Sequence, residues 1–136
     1  MSKKEIAIIF IQDSDGKFFV HQRLASKKVF PNRYGIGAGG HVDEGETPEE
    51  AAVRELEEET GLTLPVTYLF TQDFDTPEIN QISHLFITTT DEDIAIDESE
   101  WQWSGWLRKG ELDALCDEGK LCTDTEFFYR KLREGN

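Results

Sequence analysis

The sequence predicts an α/β fold in which a mixed β-sheet lies between helical layers. Two observations carry this: apolar runs of strand length occur on both sides of a helix with well-marked ends, and two further helices close the chain. Residues 5–12 read as a strand, and the nearly continuous Ile6-Ala7-Ile8-Ile9-Phe10-Ile11 implies burial on both faces, hence a central position. Residues 13–16 form a turn and 17–23 a second strand, together a hairpin with Phe18, Phe19 and Val20 as core candidates. A basic loop with Lys27 and Lys28 follows, turned by Pro31 and Asn32, before a short strand at 34–38 that delivers Gly39 and Gly40 to the helix loop. Thr47 with Glu50 reads as a capping box, Pro48 as the first helical residue and Gly61 as the left-handed stop. Further strands are expected at 66–73, 79–88 and 101–107, with an acidic loop over 91–100. Helices follow at 109–117, stopped by Gly119, and at 124–132 after a Thr123 cap completed by Glu126, with Phe127, Phe128 and Leu132 packing on the sheet.

At 136 residues, with 38% hydrophobic and 31% charged residues, the chain reads as one domain, 1–136, large enough for a core. Its longest apolar run, residues 6–11, is too short to span a bilayer, and the Met-Ser-Lys-Lys start lacks the apolar region of a signal peptide; the expectation is a cytoplasmic protein with no membrane partner. Cys116 and Cys122 match neither a disulfide framework nor a zinc spacing and are read as reduced and structural. A net charge of -14 opposes binding to nucleic acid or an anionic membrane, so a small phosphorylated substrate would need a metal as a bridge.

The acidic balance is concentrated oddly. At about 100° per residue, Ala52, Val53, Leu56 and Thr60 make one stripe that can bury, and Glu55, Glu58 and Glu59 share the adjoining face. Glu57, Glu58 and Glu59 crowd the last helical turn, where the dipole favours cations, and Glu55 repels Glu59 at i,i+4. Arg54 can pair with Glu50 and Glu58, which leaves Glu55 and Glu59 without a local partner. A hard divalent cation such as Mg²⁺, bound by carboxylates together with substrate phosphates, is the natural complement.

The segment from Gly40 to Leu62 resembles the Nudix box, G-x5-E-x7-R-E-U-x-E-E-x-G-U, where U is bulky and aliphatic. Gly40, Glu46, Arg54, Glu55, Leu56, Glu58, Glu59, Gly61 and Leu62 all match, a coincidence on the order of 10⁻⁹ per starting position at average residue usage. The resemblance implies the α/β/α sandwich of Nudix hydrolases and a pyrophosphohydrolase that cleaves a nucleoside diphosphate linked to another group. It implies that Glu55, Glu58 and Glu59 bind Mg²⁺ or Mn²⁺ with the backbone carbonyl of Gly40, and that Glu55 or a loop carboxylate is the general base. Arg54 would orient the carboxylates and Glu46 would tie the glycine loop to the helix. Relatives place a further carboxylate before the strand that ends in Trp, here Glu100 in preference to Glu98, and basic residues on substrate phosphates, here Arg23 and Lys28. Trp101 and Trp103 are expected to share one strand face in the core, and His21, His41 and His84 to be structural.

Two other readings stand beside the hydrolase. An isopentenyl-diphosphate isomerase-like enzyme is suggested by the basic loop and Gly-Gly-His, but it needs a cysteine near the strand before the box, where this chain has Ile36, Gly37 and Ala38. A non-catalytic nucleotide sensor would not require Arg54 and all three glutamates. The substrate and the oligomeric state, a homodimer included, lie beyond a single sequence.

Overall fold

The computed structural model describes residues 3–94 and 99–135. In chain order the elements are β1 (Lys4–Gln12), β2 (Phe18–Arg23), β3 (Tyr34–Ile36), β4 (Ala38–His41), α1 (Pro48–Thr60), β5 (Thr67–Asp75), β6 (Asn80–Thr89), β7 (Trp101–Leu107), α2 (Lys109–Asp117) and α3 (Thr123–Glu134). The apolar run of β1 lies centrally, parallel to β6 from Lys4↔Gln81 to Gln12↔Thr89, and β5 covers the far edge of β6 antiparallel.

On its other side β1 departs from the expected hairpin. It meets β2 only at Gln12↔Phe18 and pairs instead with β4, from Ile9↔Ala38 to Ile6↔His41. The stretch expected as one strand at 34–38 is broken at Gly37: β3 stays on β2, and the chain then crosses to β1 as β4. Gly37 has φ +72°, a Cβ there would overlap the Ile9 carbonyl, and its N–H donates to Phe19 O at 2.7 Å. Only glycine combines that dihedral with that approach, so one residue parts β1 from β2 and opens the space between them.

The alternation of β1 sorts the core into two layers. Ala7, Ile9 and Ile11 pack with Ala38, Phe86 and the α1 residues Ala51, Ala52 and Leu56. Ile8 and Phe10 pack with Leu112 and Cys116 of α2 and Phe128 and Tyr129 of α3. The result is the expected mixed sheet between helices. Along α1, Ala51 is buried where the helical wheel favours Val53, which is only half-buried; two adjacent alanines let the helix lie close against the sheet.

Both ends of α1 follow the sequence, with the Thr47–Glu50 capping box and Gly61 at φ +76°. The start of α3 does not. Cys122 takes the cap position without a side-chain bond, because the Thr123 hydroxyl donates to Glu78 Oε1 at 3.0 Å and Glu126 pairs with Arg130. In β7 the pairing with β2 slips between Gln22 and Arg23, so Trp101 and Trp103 do not share a face. Trp101 is buried against Phe19 and His21, whereas Trp103 is half-exposed against Tyr34.

Candidate active site

Arg54 organises the acidic helix face. Its Nε and Nη2 donate to Glu46 Oε2 and Oε1 at 2.8 and 3.0 Å, Nη1 donates to Glu55 Oε1 at 2.8 Å and more weakly to Glu58, and Nη2 also reaches the His41 carbonyl at 2.9 Å. Glu46 in turn accepts from the Asp43 N–H, and these bonds, that of Arg54 first, hold its carboxyl at about 2. The planar guanidinium thus ties α1 to the loop that follows β4. Gly40 lies on β4 directly under Glu55, where a Cβ would overlap the carboxylate.

Glu59 is placed differently. Its Oε2 accepts from the Gly39 N–H at 2.9 Å. Burial, with the charges of Glu55, Glu100 and Glu58 adding to it, pushes its carboxyl up to about 8. Glu55 is also raised, by burial first, against the opposing pull of Arg54. Glu58 is the exposed member of the three. Glu55, Glu58, Glu59 and Glu100 line one hollow of about 330 Å³, floored by Gly39 and Trp101. Among the described residues no ligating side chains are already drawn into a closed cage; Glu55 is turned to Arg54 and Glu59 to the Gly39 amide. The donor set is nonetheless all hard oxygen, and Glu55, Glu58 and Glu100 add their like charges to the burial that raises Glu59, both of which fit a hard divalent cation.

The hollow shares Gly39, Glu59, Glu100 and Trp101 with a larger cavity of about 400 Å³, whose walls come from β1, β2, β4, β6 and α3. Gly40 and Arg23 line this cavity; the Arg23 Nε is held by the Val29 carbonyl at 2.9 Å. Of the paired lysines, it is Lys27 that lines the cavity and reaches Glu100 Oε2 at 3.3 Å, whereas the expected Lys28 is exposed and away from it. Glu98 lies outside the described residues.

His21, Gln81, Cys122 and Asp124 also line the cavity, and none was singled out as a site residue by sequence. His21 Nδ1 bonds the Gly37 carbonyl at 2.8 Å and its ring stacks on Trp101; burial lowers it to about 4, so it stays neutral. His84 bridges Thr71 and Glu5. His41 is exposed, and its contribution is the carbonyl that Arg54 holds. Both cysteines are reduced and buried. Cys122 comes beside β3 because its N–H donates to Tyr34 O, so sequence distance did not keep a thiol out of the cavity. Burial pushes that thiol up to about 12.

A family model, the NUDIX domain, matches residues 1–123. The chain belongs to the Nudix family. It is 33% identical over 129 residues to an uncharacterized Nudix hydrolase of Streptomyces coelicolor, covering 92% of this chain and 71% of the relative. It is 32% identical over 125 residues to an RNA pyrophosphohydrolase of Erythrobacter litoralis, covering 74% of each. The crystal structure of a Deinococcus radiodurans protein superposes with a TM-score of 0.81 at 26% identity, over 94% of this chain and 82% of that one. Nudix hydrolases use divalent metal ions and act on small nucleotide derivatives, and the relatives with a named activity include pyrophosphohydrolases. No helix among the described residues of this Nudix domain is long and apolar enough to cross a membrane.

Proposed function

We propose that this chain is a metal-dependent pyrophosphohydrolase that cleaves the diphosphate linkage of a nucleoside diphosphate joined to another group, by attack of water at phosphorus. The observation that supports it is the continuity of two spaces: a hollow walled by Glu55, Glu58, Glu59 and Glu100 opens into a nucleoside-sized cavity. In this reading Glu55, Glu58, Glu59 and the Gly40 carbonyl hold Mg²⁺ or Mn²⁺. Held there, such a cation would supply positive charge to diphosphate oxygens and lower the pKa of water.

The chain's own groups do the rest. Arg54 keeps Glu55 and Glu58 on the hollow side of α1, and the Gly39 N–H does the same for Glu59. Glu55, whose carboxyl burial raises against the pull of Arg54, takes the proton from the attacking water, with Glu100 the other carboxylate in reach of the hollow. Arg23 and Lys27 meet phosphate oxygens from the opposite wall. Burial of Trp101 and stacking of His21 on it keep bulk water from that side.

The test is a screen of nucleoside diphosphate sugars, dinucleoside polyphosphates, oxidised nucleoside triphosphates and prenyl diphosphates with Mg²⁺ or Mn²⁺. Released phosphate is followed after phosphatase coupling. Turnover of a nucleotide class that stops with chelator is expected. Conversion of a prenyl diphosphate without phosphate release would favour the isomerase-like reading, for which Cys122 is the thiol in the cavity. No Mg²⁺ or Mn²⁺ uptake by calorimetry, with or without a nonhydrolysable diphosphate, would overturn both.

A further inference from the structure

Where the hollow joins the larger cavity sits a side chain whose hydrogen-bonding capacity the phosphate chemistry does not use. The His21 ring is held from every side: Nδ1 bonds the Gly37 carbonyl at 2.8 Å, the ring stacks on Trp101 with centroids 4.4 Å apart, and its Nε2 edge rests on Gly35, where a Cβ would come within 2.6 Å of that atom. Burial, helped by the Arg23 charge, keeps the imidazole neutral. A carbonyl only accepts, so Nδ1 carries the proton and Nε2 is left with a bare lone pair. No described residue bonds Nε2; of the cations in the same wall, Arg23 gives its Nε to the Val29 carbonyl and Lys27 pairs with Glu100. Every fully buried side-chain nitrogen or oxygen among the described residues has a partner, so Nε2 is open to the cavity that His21 lines.

We infer that His21 is a specificity-determining residue that accepts a hydrogen bond from a sugar hydroxyl beside the diphosphate. The inference deepens the proposed pyrophosphohydrolase reading and rests on it for the place of the diphosphate. Trp101, on which the ring stacks, floors the acidic hollow and lines the larger cavity as well, so the part of the ligand that meets Nε2 is the part next to the diphosphate. The linkage itself is the wrong partner, because its oxygens carry no proton at neutral pH and would set lone pair against lone pair. The neighbouring groups that do carry protons are sugar hydroxyls, on the ribose of the nucleoside or on a second sugar across the linkage. A fixed acceptor left without its donor forfeits a hydrogen bond in the complex, so a ligand lacking that hydroxyl is disfavoured.

The experiment compares ligands that differ only in hydroxyls. Whichever of ADP-, GDP-, CDP- and UDP-glucose is turned over fastest in Mg²⁺, or bound most tightly by calorimetry if none is turned over, is set against its 2′,3′-dideoxynucleoside analogue and its 2-deoxyglucose analogue. Removing the hydroxyls of one sugar is expected to lower kcat/KM by at least about 10-fold, mainly through KM, and the sugar concerned identifies the source of the donor. His21→Asn can keep the Gly37 bond but does not reach the Nε2 position, and His21→Phe keeps the stack without an acceptor; both should shrink that ratio to about twofold or less, while His21→Gln, whose amide oxygen reaches the position, restores part of it. Melting curves check the fold, and if His21→Asn does not fold, His21→Phe decides by the same ratio. Equal treatment of the three ligands by the unmodified protein, or a ratio that the Asn and Phe variants leave unchanged while activity falls equally for all, would overturn the inference and leave the hydrolase reading standing. A His21-dependent ratio in binding without turnover of any nucleotide would sink the hydrolase reading and support the hydroxyl contact, and neither turnover nor binding of any of them would overturn both.

Discussion

The two ends of the cavity are built in opposite ways. At the acidic end, Gly39, Gly40, Glu46, Arg54, Glu55, Glu58 and Glu59 lie within one short stretch of chain and are cross-tied by Arg54 and the Gly39 amide. At the far end, Gln81, Cys122 and Asp124 come from two separate elements and meet only when the sheet and α3 assemble. The acidic end can therefore be specified locally and can carry the same chemistry in many sequences. The far end depends on the whole fold and is free to vary with the ligand.

The sharpest way to separate the two is through glycines. Gly37→Ala forces a side chain into the Ile9 carbonyl at a positive φ and removes the parting of β1 from β2 on which both ends depend. We expect a loss of more than about 3 kcal/mol in denaturant unfolding. Gly40→Ala meets only the Glu55 carboxylate, a movable side chain, so its melting temperature should fall less while activity falls with the displaced carboxylate. Equal destabilisation by both would contradict the distinction.

Within the acidic end, Glu58→Gln should lower kcat by at least about 100-fold, since it removes charge that acts on the transition state. Its fold should be intact, because the side chain is exposed and its link to Arg54 is long. Unchanged turnover would reject Glu58 as a metal-holding carboxylate.

These assignments show what the sequence made legible. The α1 termini and the central β1 follow from local rules of capping and periodicity, and the structure bears those elements out; helical periodicity also put Glu55, Glu58 and Glu59 together, and all three line one hollow. What escaped was set by contacts distant in sequence. Nothing in residues 34–38 announces that Gly37 changes strand partner, because the reason is the Ile9 carbonyl. The alternation of Trp101 and Trp103 fails at a bulge defined by β2. Thr123 looks like a cap until Glu78 claims its hydroxyl. Asp124 is one more acid in an acidic chain until the fold buries it in the cavity.

The pH dependence tests whether a cation meets Glu59 at the acidic end. Glu59 is raised from 4.5 to about 8, so the folded, metal-free protein holds a proton there that the unfolded chain has lost. Stability from this group is present below about 4.5 and is lost as pH rises toward 8. A metal must displace that proton, so Mg²⁺ affinity should climb by up to about tenfold per unit from pH 6 to 8. The melting-temperature gain on adding Mg²⁺ should grow in parallel. A gain independent of pH would show that Glu59 is not among the groups the cation meets.

The smallest effect concerns the two adjacent lysines that join the ends. Sequence favoured Lys28 as a phosphate contact, yet Lys27 lines the cavity, 3.3 Å from Glu100, and Lys28 is exposed away from it. An exposed ion pair of this kind is worth about 0.2–1 kcal/mol, so Lys27→Ala should change KM by only about two- to fivefold. Lys28→Ala should leave KM within error. Because the residues are neighbours of the same charge, any general electrostatic attraction of an anionic substrate would respond to both. A response confined to Lys27 assigns the contact to position in the cavity wall, and equal responses would return it to the bulk charge of the loop.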